Sequence, residues 1–114
     1  MIERRKMERI HLIHYLRMFN REDGSLIGNL VDITGEGVQF ISEKPFVKDT
    51  VLPVRMDFPE EFMGKDHLEF TTEIKWSIVD QNPDLFANGS RLVTVNDEDA
   101  NIIKALIEMY QDSP

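Results

Sequence analysis

Two short stretches of this chain carry the side chains best suited to bind something. The first is Leu30-Val31-Asp32-Ile33-Thr34-Gly35-Glu36-Gly37-Val38-Gln39-Phe40. On an extended backbone Asp32 and Thr34 stand two apart and project from one face. A carboxylate and a hydroxyl thus sit beside Gly35 and Gly37, which let another group come close to bare backbone. Taken alone, the stretch also reads as an ordinary hairpin turn, because Asp and Thr side chains commonly cap the backbone two residues on. The second stretch is Glu3-Arg4-Arg5-Lys6-Met7-Glu8-Arg9. The chain's net charge of −8 divides into +2 over these first nine residues and −10 over the other 105. A small anion needs only such a local basic cluster, whereas duplex DNA would meet repulsion over most of the surface. By itself a charge run is also what a solvated, frayed terminus looks like.

Together the two stretches have the spacings Arg5-x-x-x-Arg9 and Asp32-x-Thr34-x-x-Gly37. In this order and about this far apart they resemble the PilZ domain family, small β-barrels that sense the bacterial second messenger cyclic di-guanylate (cyclic di-GMP). The resemblance runs on through Gly89-Ser90-Arg91-Leu92-Val93 and a closing helix, covering nearly the whole chain, with Thr34 where the family usually has Ser. It implies a non-enzymatic receptor whose ligand-binding residues are Arg5, Arg9, Asp32, Thr34 and Gly37, with no cofactor. The arginines suit the ligand because a planar guanidinium makes paired hydrogen bonds to phosphate or to guanine O6 and N7, and also stacks on a purine. Asp32 would repel phosphate, so it falls to the guanine donors or to orienting an arginine. Thr34 offers its hydroxyl to phosphate or base, and Gly37 keeps the surface open. Arg4 and Lys6 are auxiliaries without motif support. The extra methyl of Thr34 bears on affinity rather than on ligand identity. An arm loose without ligand would wrap over the nucleotide at an ordering cost of about 2–5 kcal/mol, and a downstream protein partner would read the changed surface. The alternative is a PilZ-like adaptor that binds no nucleotide and acts through protein contacts.

These residues need a scaffold, and the pattern supplies one that is mainly β: a single small antiparallel β-barrel of about six strands over residues 10–114, with a C-terminal α-helix and a flexible N-terminal arm over residues 1–9. The first strand spans Ile10 to Phe19, and Asp23-Gly24 marks the hairpin after it. Further strands run from Leu26 to Thr34, from Val38 to Ser42 and from Thr50 to Phe58, where Pro53 argues for an edge or a bulge. Residues 58–66 read as a loop whose Phe62 and Met63 pack over one end of the barrel. His67 to Val79 alternates, with Thr72, Ile74, Trp76 and Ile78 on the buried side. In the last strand, Leu85 to Val95, a bulge is expected at Asn88-Gly89. Asn96 or Asp97 caps the final helix, and Ile102, Ile103, Leu106, Ile107 and Tyr110 form its apolar stripe. That stripe docks on the barrel, with a dimer open as the other way of covering it.

Composition narrows the function classes. The 114 residues bury one core, and 41% apolar content argues against disorder. No run of 18 uncharged apolar residues or signal-peptide core is present, so no membrane span and a cytoplasmic setting are expected. With no cysteine there is neither a disulfide framework nor a thiolate metal site. His11 and His14 fall on opposite strand faces, no carboxylate or cysteine stands at ligand spacing, and His67 is isolated, so no metal site is expected. No hydrolase, P-loop or paired-carboxylate motif appears, which gives no catalytic residues. Binding of single-stranded DNA or RNA is disfavoured by the acidic surface and by aromatic residues that read as buried. Oligomeric state is read as monomer or weak dimer.

Overall fold

The computed structural model describes residues 16–111, with side chains as far as residue 108. Six strands, β1 (Arg17–Asn20), β2 (Leu26–Ile33), β3 (Gly37–Ser42), β4 (Val51–Phe62), β5 (Lys65–Val79) and β6 (Phe86–Val95), are followed by one helix, α1 (Asp97–Gln111). The strands close into a barrel in the order β1-β2-β3-β6-β5-β4, and every pairing is antiparallel. Closure leaves no free edge. Arg5, Arg9 and the start of the expected first strand lie outside the described residues.

Alternation fills the interior. Met18, Leu30, Val38, Phe40, Val54, Met56, Leu68, Phe70 and Ile74 are all buried within one cluster. The first turn is the one the sequence marks: Gly24 N–H donates to Asn20 O, and Asp23 Oδ1 accepts from both N–H and hydroxyl of Ser25. Pro53 is tolerated although β4 has neighbours on both sides. Its carbonyl accepts from Arg21 N just beyond the last β1–β4 ladder pair, Asn20 with Val54, so its missing N–H faces the side where β1 has ended.

Three expectations need correction. Residues 58–66 are not an open loop: β4 reaches Phe62, and Met63-Gly64 turns the chain with φ of 52° and 81°, the geometry of a two-residue hairpin. Phe62 packs edge-on against Phe58 and the core, while Met63 stays exposed at the tip. The bulge expected at Asn88-Gly89 lies instead on the opposing strand, because Ile74 pairs with Ser90 and Trp76 with Gly89, leaving Lys75 as the extra residue. That insertion overturns the expectation for Trp76 and Ile78. One added residue reverses the side-chain phase, so Ser77 turns inward to bond Asn88 Oδ1 at 2.6 Å, while Trp76 and Ile78 are 40% and 59% exposed.

The helix closes one end of the barrel. Asn96 is its cap: Asn96 Oδ1 accepts from Asp99 N–H at 2.7 Å, and Asn96 Nδ2 donates to Asp99 Oδ2 at 3.1 Å. Ile102, Ile103 and Leu106 are buried in the common core, so the expected stripe docks on the barrel. Asp99 also accepts from Lys65 Nζ at 2.8 Å and Glu69 N–H at 3.0 Å, which fastens the first helical turn to β5. Burial alone would raise the Asp99 pKa, but the hydrogen bonds from Lys65, Glu69 and Asn96 outweigh it and hold the carboxyl below its ordinary value.

Candidate functional site

An open cleft of about 330 Å³ lies on the outer face where β2, β3, β5 and β6 run side by side. Asp32, Thr34 and Gly37 from the first stretch line it, joined by Lys75, Trp76 and Arg91 from the far strands. The three described residues of the sequence motif therefore share one solvent-facing surface.

A bulge decides where Asp32 points. Leu30 pairs with Phe40 and Asp32 with Gln39, so Val31 is an added residue in β2. Leu30 is buried, and strict alternation from it would send Asp32 into the apolar core at heavy cost. The insertion turns Asp32 outward, and alternation resumes with Ile33 in and Thr34 out. Asp32 Oδ1 accepts from Ile33 N–H at 2.9 Å, and Oδ2 has no hydrogen-bond partner among the described residues.

Thr34 builds the turn as well as facing the cleft. Its Oγ1 accepts from the N–H groups of Glu36 at 3.2 Å and Gly37 at 3.3 Å, while its backbone N–H donates to Gly37 O at 2.9 Å. Both acceptor positions of the hydroxyl are thereby used. Its proton makes only a 3.5 Å contact with Gly37 O, so that proton is what the hydroxyl can offer a ligand. The turn reading and the binding reading of this stretch thus describe the same atoms.

Gly37 has a different reason than the open surface expected of it. A Cβ there would stand 1.9 Å from Ser90 O and 3.1 Å from Arg91 Cα. The absent side chain lets β3 lie against β6, and the cleft floor depends on that approach. Beneath it the buried Thr72 hydroxyl lies 2.8 Å from Arg91 O, and Ser90 Oγ donates to Val38 O at 3.0 Å. These contacts tie the three floor strands together.

Sequence reasoning weighs Trp76 as a surface for a guanine but assigns it to the core, and gives Lys75 and Arg91 no role, yet all three line the cleft. The two residues of a bulge can both face one side of a sheet, and Lys75 and Trp76 are both exposed. The indole lies on Gly89, where an added Cβ would come within 2.3 Å of Nε1 and Cε2. An exposed aromatic ring is thus held by bare backbone at the edge of the cleft. The one signal in the sequence is the pairing of a tryptophan with a glycine on the next strand, and it requires the register to be known.

The charges of the cleft are nearly balanced. Arg91 Nη2 and Lys75 Nζ both bind Glu73 Oε1, at 3.0 and 3.1 Å, and Lys75 also lies 3.6 Å from Asp49. Hydrogen bonds from Lys75 first and Arg91 second hold the Glu73 carboxyl below its ordinary value. Asp32 and Glu36 on the lining offset Lys75 and Arg91, so the described lining carries no cationic surplus. Elsewhere, His67 Nδ1 meets Asp66 at 2.7 Å on the outer surface, which is a surface contact.

The family model of the PilZ domain matches residues 3–109. No curated protein matches the chain. Among solved structures, the Bacillus subtilis inhibitor of motility (MotI/DgrA) superposes with a TM-score of 0.67 at 13% identity, over 87% of this chain and 48% of that one. The K. pneumonia MrkH–c-di-GMP complex gives 0.65 at 14% identity, over 85% and 47%. The PilZ domain of Escherichia coli YcgR with c-di-GMP gives 0.57 at 13% identity, over 88% and 85%. The chain spans about half the length of the first two, and at these identities the likeness is one of fold. Among the described residues no helix is long and apolar enough to cross a membrane.

Proposed function

This chain belongs to the PilZ domain family, and from that we propose that it is a receptor for cyclic di-GMP whose ligand sits in the cleft beside Asp32, Thr34, Gly37 and Trp76. The observation that supports the reading is that Asp32, Thr34 and Gly37 line one outward cleft beside an exposed indole. Two structures of similar fold hold the same messenger.

The division of labour follows from the chemistry. Trp76 offers one guanine a flat apolar face, and the Asp32 carboxylate accepts from the guanine N1 and N2 donors. Arg91 and Lys75 lie within reach of a phosphate at the rim. A cleft of about 330 Å³ is at the small end of the roughly 300–1,000 Å³ usual for ligand sites, so a dinucleotide overfills it. The basic stretch with Arg5 and Arg9 is the part of the sequence suited to cover the remainder and to supply the missing positive charge. Ligand binding would order that stretch over the barrel, and a partner protein would recognise the covered surface.

Calorimetric titration with cyclic di-GMP is the test. Arg5→Ala and Arg9→Ala are each expected to cost about 1.5–3 kcal/mol of binding, as the loss of charge-assisted hydrogen bonds does. A folded wild-type chain that gives no heat at millimolar ligand would sink the receptor assignment and leave the adaptor in its place.

A further inference from the structure

The cations at the rim of the cleft are already engaged. Glu73 on β5 stands directly across from Arg91 on β6, and Lys75 lies two residues along the same outer face. One carboxylate oxygen, Oε1, takes both cations, at 3.0 and 3.1 Å. The Glu73 side chain is 20% exposed, against 55% for Arg91 and 41% for Lys75. The acid is thus the more enclosed partner, and the two bases line the cleft. Of these two bases, the Asp49 carboxylate pairs with Lys75, at 3.6 Å.

We propose that Glu73 is an internal competitor for the ligand: its carboxylate holds Arg91 and Lys75 at the rim, and an anionic ligand binds by taking those cations over. This rests on the receptor reading and adds to it a residue that sets affinity without being part of the motif. The carboxylate and a ligand phosphate are alike in charge and in the paired acceptors they offer a guanidinium, so each weakens the other's hold. Like charges sharing two cations repel, and water and salt screen that repulsion in an open cleft.

The experiment uses cyclic di-GMP as probe with the full chain. Glu73→Gln keeps the size of the side chain and removes the competing charge, and it is expected to tighten binding by about two- to tenfold at low salt, the scale of two exposed ion pairs. The gain should shrink at high ionic strength and shrink again when Arg91→Ala is added, because the freed guanidinium is one of its two sources. Asp57→Asn removes the same charge from a pair with Arg55 on the β1–β4 side, and should change affinity by less than about twofold. Damage to the sheet would weaken binding, so tightening separates competition from a structural role. Equal or weaker binding by Glu73→Gln, with the wild type binding normally, overturns the inference and leaves the receptor reading intact. A gain that Arg91→Ala leaves undiminished, or that Asp57→Asn matches, overturns it as well. No binding by either protein fails the receptor reading and this inference with it.

Discussion

Gly89→Ala should strip the cleft of its aromatic floor while leaving the barrel folded. The new Cβ would stand 2.3 Å from indole Nε1 and Cε2 and 2.6 Å from Cζ2 of Trp76. Such atoms rest about 3.5–4.0 Å apart, so the ring must retreat by more than about 1 Å. The obstacle is a half-exposed side chain rather than backbone, so the ring can swing toward solvent. The melting midpoint should then fall by less than about 5 °C. Base stacking on an aromatic ring is worth about 1–3 kcal/mol, which predicts about 5- to 150-fold weaker binding of cyclic di-GMP. Trp76 is the single tryptophan, so its fluorescence reports the event without interference. The variant should show red-shifted emission and easier quenching by acrylamide before any ligand is added. Unchanged emission and quenching would mean that the indole does not rest on Gly89. Shifted emission with undiminished affinity would mean that the ring is no platform for the ligand.

The two glycines of the motif stretch should separate cleanly. Gly37→Ala places a Cβ 1.9 Å from the Ser90 carbonyl and should cost about 2–4 kcal/mol, seen as a lower urea midpoint, since backbone and not a side chain has to move. Gly35→Ala meets nothing within 4 Å and should fall between neutral and about 1 kcal/mol stabilising; comparable losses for both would contradict the close β3–β6 approach. Asp99→Ala removes the helix clip and leaves the Glu69 N–H and Lys65 without their shared acceptor, an expected loss of about 2–3 kcal/mol by denaturant titration. The carboxyl of Asp99 is held below its ordinary 3.8, so its contribution is complete above that value and is lost as pH falls through the lowered one. The stability gap between wild type and Asp99→Asn should therefore narrow as pH falls below 3.8, and a gap that stays constant through acid titration would assign the effect to something other than this charge.

Much of the scaffold was legible because its signals are local. The Asp23-Gly24 turn, the cap at Asn96 and the stripe of Ile102, Ile103 and Leu106 each depend on residues a few positions apart, and each stands where the sequence places it. The hairpin at Met63-Gly64 was not legible in the same way. Glu60 and Glu61 read as loop, yet residues 58–61 bow out opposite Asp66 while the strands stay together on either side. Methionine at positive φ is a conformation that only the closing of the hairpin requires.

The sequence by itself determined the residue types of the cleft on β2 and β3, the acid-hydroxyl-glycine spacing and a mainly β chain closed by a helix. Only the tertiary structure decided which way those side chains face. Asp32 and Trp76 both reach the cleft because β2 and β5 each take in one extra residue, at Val31 and Lys75. Strict alternation would have pointed an acid and an indole into the core. The reason is that side-chain phase in a sheet is counted against the neighbouring strand, and the register in which β2 meets β3 and β5 meets β6 is set by what the folded barrel buries, not by alternation along one strand.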